Sequence, residues 1–512
     1  MTPTIPRRQA ISSIPWSKRQ LRVVRLNEPH KPVRSIRVRN LTDLGNAERL
    51  IDQHGRDLRY CATWKKWLIW DGQRWRADDT NAVISHASRT VRSIYAEATS
   101  QADPEHRKAL SKFAARSEGA KSIENMVTLA RPMQAVRHED LDTNPWLLNV
   151  SNGTIDLRNG KLRPHRREDL ITKLAPVEFD PRAKCPTWMR FLQRITSGRR
   201  QLLSFLCRAV GYALTGDVSE QVVFFLHGSG ANGKTTFATT LQHLLGDYAQ
   251  QAAPELLVAK SHATHPTDQA DLFGCRLAVC SEMEQNRALN EVLTKQLTGG
   301  DRIKARRMRE DFWEFEPTHK IFLITNHKPN VRGTDHAIWR RIRLIPFTVT
   351  IPKNEQDPKL PRKLRQELPG ILAWAVRGCL EWRRFRLREP KEVREATATY
   401  QNEMDVVRRY VEECCIEEKT SFVVASEIYA AYLSWSQLNG EESVRRTGFG
   451  ARLDELGFKA AKGAKGVRLW RGIRLRPEWV AQVAQPPVSS LKNETKETNR
   501  NRRHPRHPRG AP

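Results

Sequence analysis

Residues 221–245 read QVVFFLHGSGANGKTTFATTLQHLL. Inside this stretch, Gly228-Ser229-Gly230-Ala231-Asn232-Gly233-Lys234-Thr235 satisfies the pattern G-x-x-x-x-G-K-[S/T] in full. An apolar run, 222–226, leads in, and Phe237, Leu241, Leu244 and Leu245 follow at helical spacing. The order is strand, glycine-rich loop, helix. Glycines let backbone N–H groups turn inward onto phosphate oxygens. The helix start adds a partial positive charge. Lys234 has the reach for β- and γ-phosphates, and the Thr235 hydroxyl can ligate Mg²⁺. The stretch from Gly228 to Thr236 therefore predicts a site for a nucleoside triphosphate with Mg²⁺.

Working outward, two further apolar runs have the character of buried strands. Arg276-Leu277-Ala278-Val279-Cys280 leads into Ser281-Glu282-Met283-Glu284, and Lys320-Ile321-Phe322-Leu323-Ile324-Thr325 ends at Asn326. Strands alternating with helices around a phosphate loop predict a parallel α/β core. Ligand groups then belong at the C-terminal ends of the strands. Glu282 suits an acid that holds the metal or directs water, with Glu284 in reserve, and Asn326 suits a γ-phosphate sensor. Alone, Glu282 would read as a loop carboxylate; the loop and Asn326 favour chemistry. Arg340-Arg341 precedes the apolar run 342–345, where an arginine supplied to a neighbouring subunit could neutralise transition-state charge. Between these strands, GGDRIKARRMREDFWEF (299–315) alternates around a charged turn and predicts a hairpin. Its cations suit phosphate contacts. Phe312, Trp313 and Phe315 could stack on bases, although packing at the hairpin base is the role expected of them.

The 512 residues exceed one core, so several domains are expected. Lys and Arg outnumber Asp and Glu, 87 to 57. With residues 1–40 and 481–512 set aside, 70 basic side chains still face 54 acidic ones. Basicity therefore belongs to the folded body, and it favours a polyanionic partner over simple solvation. None of the eight cysteines forms a C-x-x-C pair or a zinc-ligand arrangement, which predicts a reduced cytoplasmic chain without a structural metal. No apolar run is long enough for a membrane span.

Five regions follow. Residues 1–42 read as a basic disordered arm. Residues 43–195 read as an α+β domain. It has a helix near Asn46, a tryptophan-rich piece (64, 67, 70, 75) with Asp71-Gly72 as a hairpin turn, helices over 82–99 and 105–132, and strands with Asn-Gly turns over 147–162. The tryptophans are expected to be the packed face of a small sheet rather than base-stacking groups. Residues 196–398 are expected to form the nucleotide-binding α/β core. Residues 399–478 show helices near 402–417, 425–437 and 447–456, then a hairpin with a basic tip, a pattern like a winged helix-turn-helix. Residues 479–512 read as a disordered basic tail.

The ordered segments GSGANGKTT, RLAVCSEMEQNRALNE, KQLTGGDRIKARRM, KIFLITNHKPNV and WRRIRLIPF resemble superfamily 3 helicases. The likeness is to the phage and plasmid primase-helicase type related to the poxvirus enzyme. NPWLLNVSNGTIDLRNGKLRPHRREDLITK resembles that family's helicase-associated N-terminal domain. The resemblance implies a multidomain α/β fold, with an AAA+-like parallel-sheet core between this domain and a C-terminal winged helix. It implies ATP as the nucleotide and catalytic roles for Lys234, Glu282, Asn326 and Arg341, with Arg340 the alternative arginine. Nucleotide contacts would come from Gly228, Ser229, Gly230, Ala231, Asn232, Gly233, Lys234, Thr235 and Thr236. Metal contacts would come from Thr235 and Glu282, and DNA contacts from Lys304, Arg306, Arg307 and Arg309.

It further implies a homo-hexameric ring on single-stranded and forked DNA, moving 3′ to 5′ in phage, prophage or plasmid replication in a bacterial cytoplasm, with a separate primase or polymerase as partner. Two departures stand out. Ser281 replaces a first acidic residue. Only about 42 residues precede the associated domain, and Asp140-Leu141-Asp142 leads into Asn144-Pro145, so no primase domain and no primer synthesis are expected of this chain. The rival readings are an origin-binding initiator that uses ATP as an assembly switch, and a small-molecule phosphotransferase.

Overall fold

The computed structural model describes residues 39–253, 256–259, 266–281, 287–306, 311–331, 333 and 336–484. Of the arm expected over 1–42 and the tail expected over 479–512, residues 1–38 and 485–512 lie outside the described residues, as do Glu282, Glu284, Arg307 and Arg309, whereas 479–484 belong to the helix Pro477–Ala484 rather than to a disordered tail. The chain divides into two compact units. One comprises the segments up to His54 and from Ile84 to Met133, and the other comprises the rest.

The first unit is helical. Asp43–His54 is a helix, as expected near Asn46, and it buries Ala47 and Leu50. The buried Asn46 amide donates to Ser117 Oγ at 3.0 Å, and Arg49 makes a two-pronged bond to Glu97 at 2.9 Å. The helix Ala82–Thr99 has its expected bounds. The single helix expected over 105–132 is instead two, Pro104–Ser117 and Ala120–Ala130. Gly119 takes an extended backbone (φ −64°, ψ 140°) and starts the second helix, so the helical hydrogen-bond ladder is interrupted there.

In the second unit a small sheet joins Leu58–Cys61, Lys66–Trp70, Trp75–Ala77 and Ala135–Val136. Trp70 pairs with Trp75, so the turn has four residues rather than the two of a primed turn. The Asp71 carboxylate closes it by accepting from Gln73 N and Arg74 N, both at 2.9 Å. Trp67 and Trp75 are buried.

The centre of this unit is a five-stranded parallel sheet. Its spatial order is Ile342–Pro346, Val223–His227, Lys320–Thr325, Leu277–Ser281, Ala249–Ala252. The strands alternate between two apolar cores. Phe224, Leu226, Val279, Phe322 and Ile345 face one core, shared with the helices Pro186–Ile195, Arg200–Ala213, Lys234–Leu245 and Leu368–Phe385. Val223, Phe225, Ala278, Leu323 and Leu344 face the other, shared with Leu297, Ile303, Trp313, Phe315 and Tyr400. Burial on both faces is why these strands are continuous apolar runs.

The C-terminal part has its own aromatic core of Tyr410, Tyr432, Trp435 and Phe449. Residues 402–417 are not one helix. The helix Lys391–Met404 stops at Asp405, whose carboxylate accepts from Arg408 N and starts Val406–Cys414. A strand, Cys415–Val424, then follows. It pairs antiparallel with Arg468–Leu475, which also pairs with Lys459–Lys462. The helices Ala425–Leu438 and Arg446–Glu455 lie between these strands in sequence. Among the described residues, no helix is long and apolar enough to cross a membrane.

Candidate functional site

The loop after Val223–His227 is shaped by glycine. Gly230 and Gly233 have φ of +111° and +85°, and Gly233 opens the helix Lys234–Leu245 with no side-chain cap on its N–H groups. A Cβ at Gly233 would come within 2.7 Å of Ile195 Cγ2, so glycine is required for both conformation and space. The uncapped helix start is a ready anion site. The loop is braced from behind: Phe347 N donates to His227 O at 2.7 Å, Asn232 Nδ2 to Phe347 O at 3.2 Å, and Ile351 N to Ala231 O at 2.8 Å.

Lys234 is 4% exposed, and its ammonium donates to Gly228 O at 2.7 Å, Asn232 Oδ1 at 3.0 Å and Asn326 Oδ1 at 2.9 Å. Thr235 and Asn326 are exposed, Thr236 partly so. Asn326 arrives because its strand lies directly beside the loop strand, Thr325 opposite His227. The Thr325 hydroxyl bonds the His327 carbonyl and accepts from His327 N, turning the chain sharply there. Burial, then Lys328 and Lys234, push the His227 imidazole below its usual pKa. Ser281 ends the next strand over, its Oγ accepting from Gln251 Nε2 at 2.6 Å.

Arg340 and Arg341 sit at the opposite end of the sheet, because Ile342 is level with Val223 and Pro346 with His227. A five-residue strand puts roughly 15 Å between them and the loop. Arg341 is 8% exposed, with Nε on Thr298 Oγ1 at 3.2 Å and Nη1 on Ala337 O at 2.6 Å. Arg340 is exposed and reaches Gln221 Oε1 at 3.3 Å.

The hairpin comprises Ile303–Ala305 and Trp313–Phe315, with Lys304 opposite Glu314. Ile303, Ala305, Trp313 and Phe315 are buried, while Lys304 and Arg306 are exposed. Phe312 is not part of the packed base, unlike its two aromatic neighbours, and is 49% exposed.

Sequence reasoning missed two buried cations at the N-terminal ends of the strands. Lys320 donates to the carbonyls of Thr215, Asp217 and Thr318, and Arg276 to those of Leu214 and Leu147. They capture the carbonyl-rich end of the helix Arg200–Ala213. Burial, then Arg276, hold the Lys320 ammonium well below its usual pKa. Each stands first in an apolar run, where a strand boundary is the obvious reading. The Asp140-Leu141-Asp142 sequence is structural: Asp142 is partly buried and accepts from Thr172 N at 2.8 Å and from its hydroxyl.

The comparisons with known proteins follow the same order along the chain. Residues 47–197 match "D5 N terminal like", 226–341 match a "Family of unknown function", and 402–468 match "Poxvirus D5 protein-like". The chain is 26% identical to "Putative helicase 022R" of Frog virus 3 (isolate Goorha), over 66% of this chain and 43% of that protein. It is 23% identical to "Putative primase C962R" of African swine fever virus (isolate Tick/Malawi/Lil 20-1/1983), over 59% of this chain and 34% of that protein. The chain thus spans less than half the length of these curated relatives. A solved structure, the NrS-1 C terminal region, superposes with a TM-score of 0.48 at 9% identity, over 84% of this chain and 99% of that one.

The primase name recurs in three further isolates of the swine fever virus. These relatives overturn the expectation that the chain belongs to a type without a primase domain: the proteins that it resembles include named primases.

Proposed function

We propose that this chain is an ATP-hydrolysing DNA helicase that works as a ring, translocating on single-stranded DNA. The observation that carries the reading is the split of the site across the sheet. At one end, Lys234 and Asn326 converge on a single phosphate cradle. At the other lies the arginine pair, roughly 15 Å from the loop, a separation that suits a neighbour's nucleotide better than its own. That arrangement supports an AAA+-like core whose nucleotide sits between protomers.

In such a site the loop N–H groups and Lys234 hold the triphosphate, and Asn326 faces its γ end. Thr235 offers one exposed oxygen to Mg²⁺, which would neutralise charge on the phosphates; a carboxylate is needed beside it, and Glu282 is the proposed donor. Either Arg340 reaches the neighbour directly, or Arg341 does so after leaving Thr298 and Ala337. The hairpin supplies phosphate contacts through Lys304 and Arg306, with Arg307 and Arg309 proposed alongside them. Residues 399–478 would act as a winged helix. The partners would be single-stranded and forked DNA, a homo-hexamer and a priming or polymerising activity. The setting would be phage, prophage or plasmid replication in bacterial cytoplasm, on the strength of the motif resemblance; the relatives named above are viral.

The test is ATP turnover with and without single-stranded DNA. A motor is stimulated by the strand, and Lys234→Ala removes turnover in both conditions. Turnover indifferent to DNA would instead favour the second reading, an origin-binding initiator with ATP as an assembly switch. One observation favours that reading: a cleft of about 740 Å³ between the helix Arg446–Glu455 and the terminal hairpin is lined by Arg446, Lys462, Arg468 and Trp470. It suits a duplex backbone.

A further inference from the structure

The alternation that buries Trp313 and Phe315 also turns Phe312 outward, and a lone exposed apolar side chain needs no explanation by itself. What distinguishes Phe312 is its company. Lys304 Nζ lies 5.1 Å from its ring centroid and Arg306 Cζ lies 4.7 Å from it. Two cations, one in the opposite strand and one just past its end, therefore converge on one ring that is still half open to solvent. Both are attracted by the ring quadrupole, which fixes the ring and the charges relative to one another.

The hairpin beneath is rigid. Trp313 and Phe315 contact each other at 5.2 Å, and Phe273 packs edge-on against both, at 5.2 and 5.7 Å. A flat apolar surface flanked by positive charges on a fixed support is what an unstacked nucleobase and its adjoining phosphates require. A duplex keeps its bases stacked on each other and cannot use the ring.

We propose that Phe312 is a base-stacking residue, with Lys304 and Arg306 holding the phosphates on either side of the stacked nucleotide. This rests on the translocase reading above and adds to it: the hairpin contacts bases as well as backbone, and selects single strands by doing so.

The test is fluorescence anisotropy with the full chain, comparing an oligothymidylate with an abasic strand of equal length and charge. Wild type should bind the base-bearing strand about tenfold more tightly. Phe312→Ala and Phe312→Leu should bring that ratio close to one, the leucine keeping apolar bulk without a π face, whereas Phe312→Trp should preserve it. Lys304→Ala should weaken both strands alike. If the wild-type ratio persists in Phe312→Ala, the proposal is overturned while the translocase reading stands. Failure of the wild type to bind either strand would remove both.

Discussion

The Lys234 ammonium bonds Asn326 Oδ1 at 2.9 Å, joining the helix that opens the phosphate cradle to the end of the neighbouring strand. On the proposed reading, this exposed amide is the one that a γ-phosphate would meet beside the lysine. A triphosphate bound as proposed would compete for Lys234 with its oxygen partners and would release Asn326 to turn toward the reacting end.

Asn326→Ala should therefore bind a non-hydrolysable ATP analogue within a few-fold of wild type but hydrolyse ATP about a hundredfold more slowly. Lys234→Ala should lose both. Analogue titration and phosphate release measured on the same samples check this; wild-type hydrolysis by Asn326→Ala would remove the residue from the chemistry.

The two arginines before Ile342 should separate cleanly. Arg341 is held by Thr298 and Ala337, so Arg341→Ala should cost about 1.5–3 kcal/mol of stability, seen in denaturant unfolding. Arg340 is exposed, so Arg340→Ala should unfold as wild type yet lose ATP turnover. Mixing it with Lys234→Ala protein should restore part of the rate, because each protomer then supplies what the other lacks. Full turnover by Arg340→Ala alone would return the role to Arg341.

Short-range features were legible because short-range chemistry sets them. The glycines of the loop, the helix after Lys234 and the alternation of Ile303, Ala305, Trp313 and Phe315 all follow from local spacing. Contact between Lys234 and Asn326 spans 92 positions and depends on strand order, which periodicity does not encode. Likewise, adjacent arginines look identical in sequence; tertiary partners, Thr298 and the Ala337 carbonyl among them, draw Arg341 inward. The strand Cys415–Val424 was hidden by its charged, exposed middle, Glu417-Glu418-Lys419, which alternation of apolar residues cannot reveal.

His319 gives a pH signature. Burial, then the adjacent Lys320, push its imidazole down to about 3. A folded pKa below the unfolded value of about 6.5 means the unfolded chain takes the proton first. The stability is therefore present above about pH 6.5 and falls with acidity, by up to about 1.4 kcal/mol per pH unit until the folded pKa is reached. Urea unfolding at pH 7, 6 and 5 should show this slope, flattened in His319→Leu. An equal slope in that variant would place the acid sensitivity elsewhere.

Salt and coupling test the hairpin. Lys304 and Arg306 are both exposed on the hairpin, and each neutralised phosphate on a single strand contributes about 0.7 to the slope of log affinity against log salt. Lys304→Ala with Arg306→Ala should lower that slope by about 1.4 if both contacts form. The same double variant should still hydrolyse ATP, because neither residue belongs to the phosphate cradle, yet fail to open a fork. Turnover without unwinding is the outcome expected of a hairpin that transmits force to the strand. Unwinding at the wild-type rate, with an unchanged salt slope, would mean that the DNA runs elsewhere on the protein.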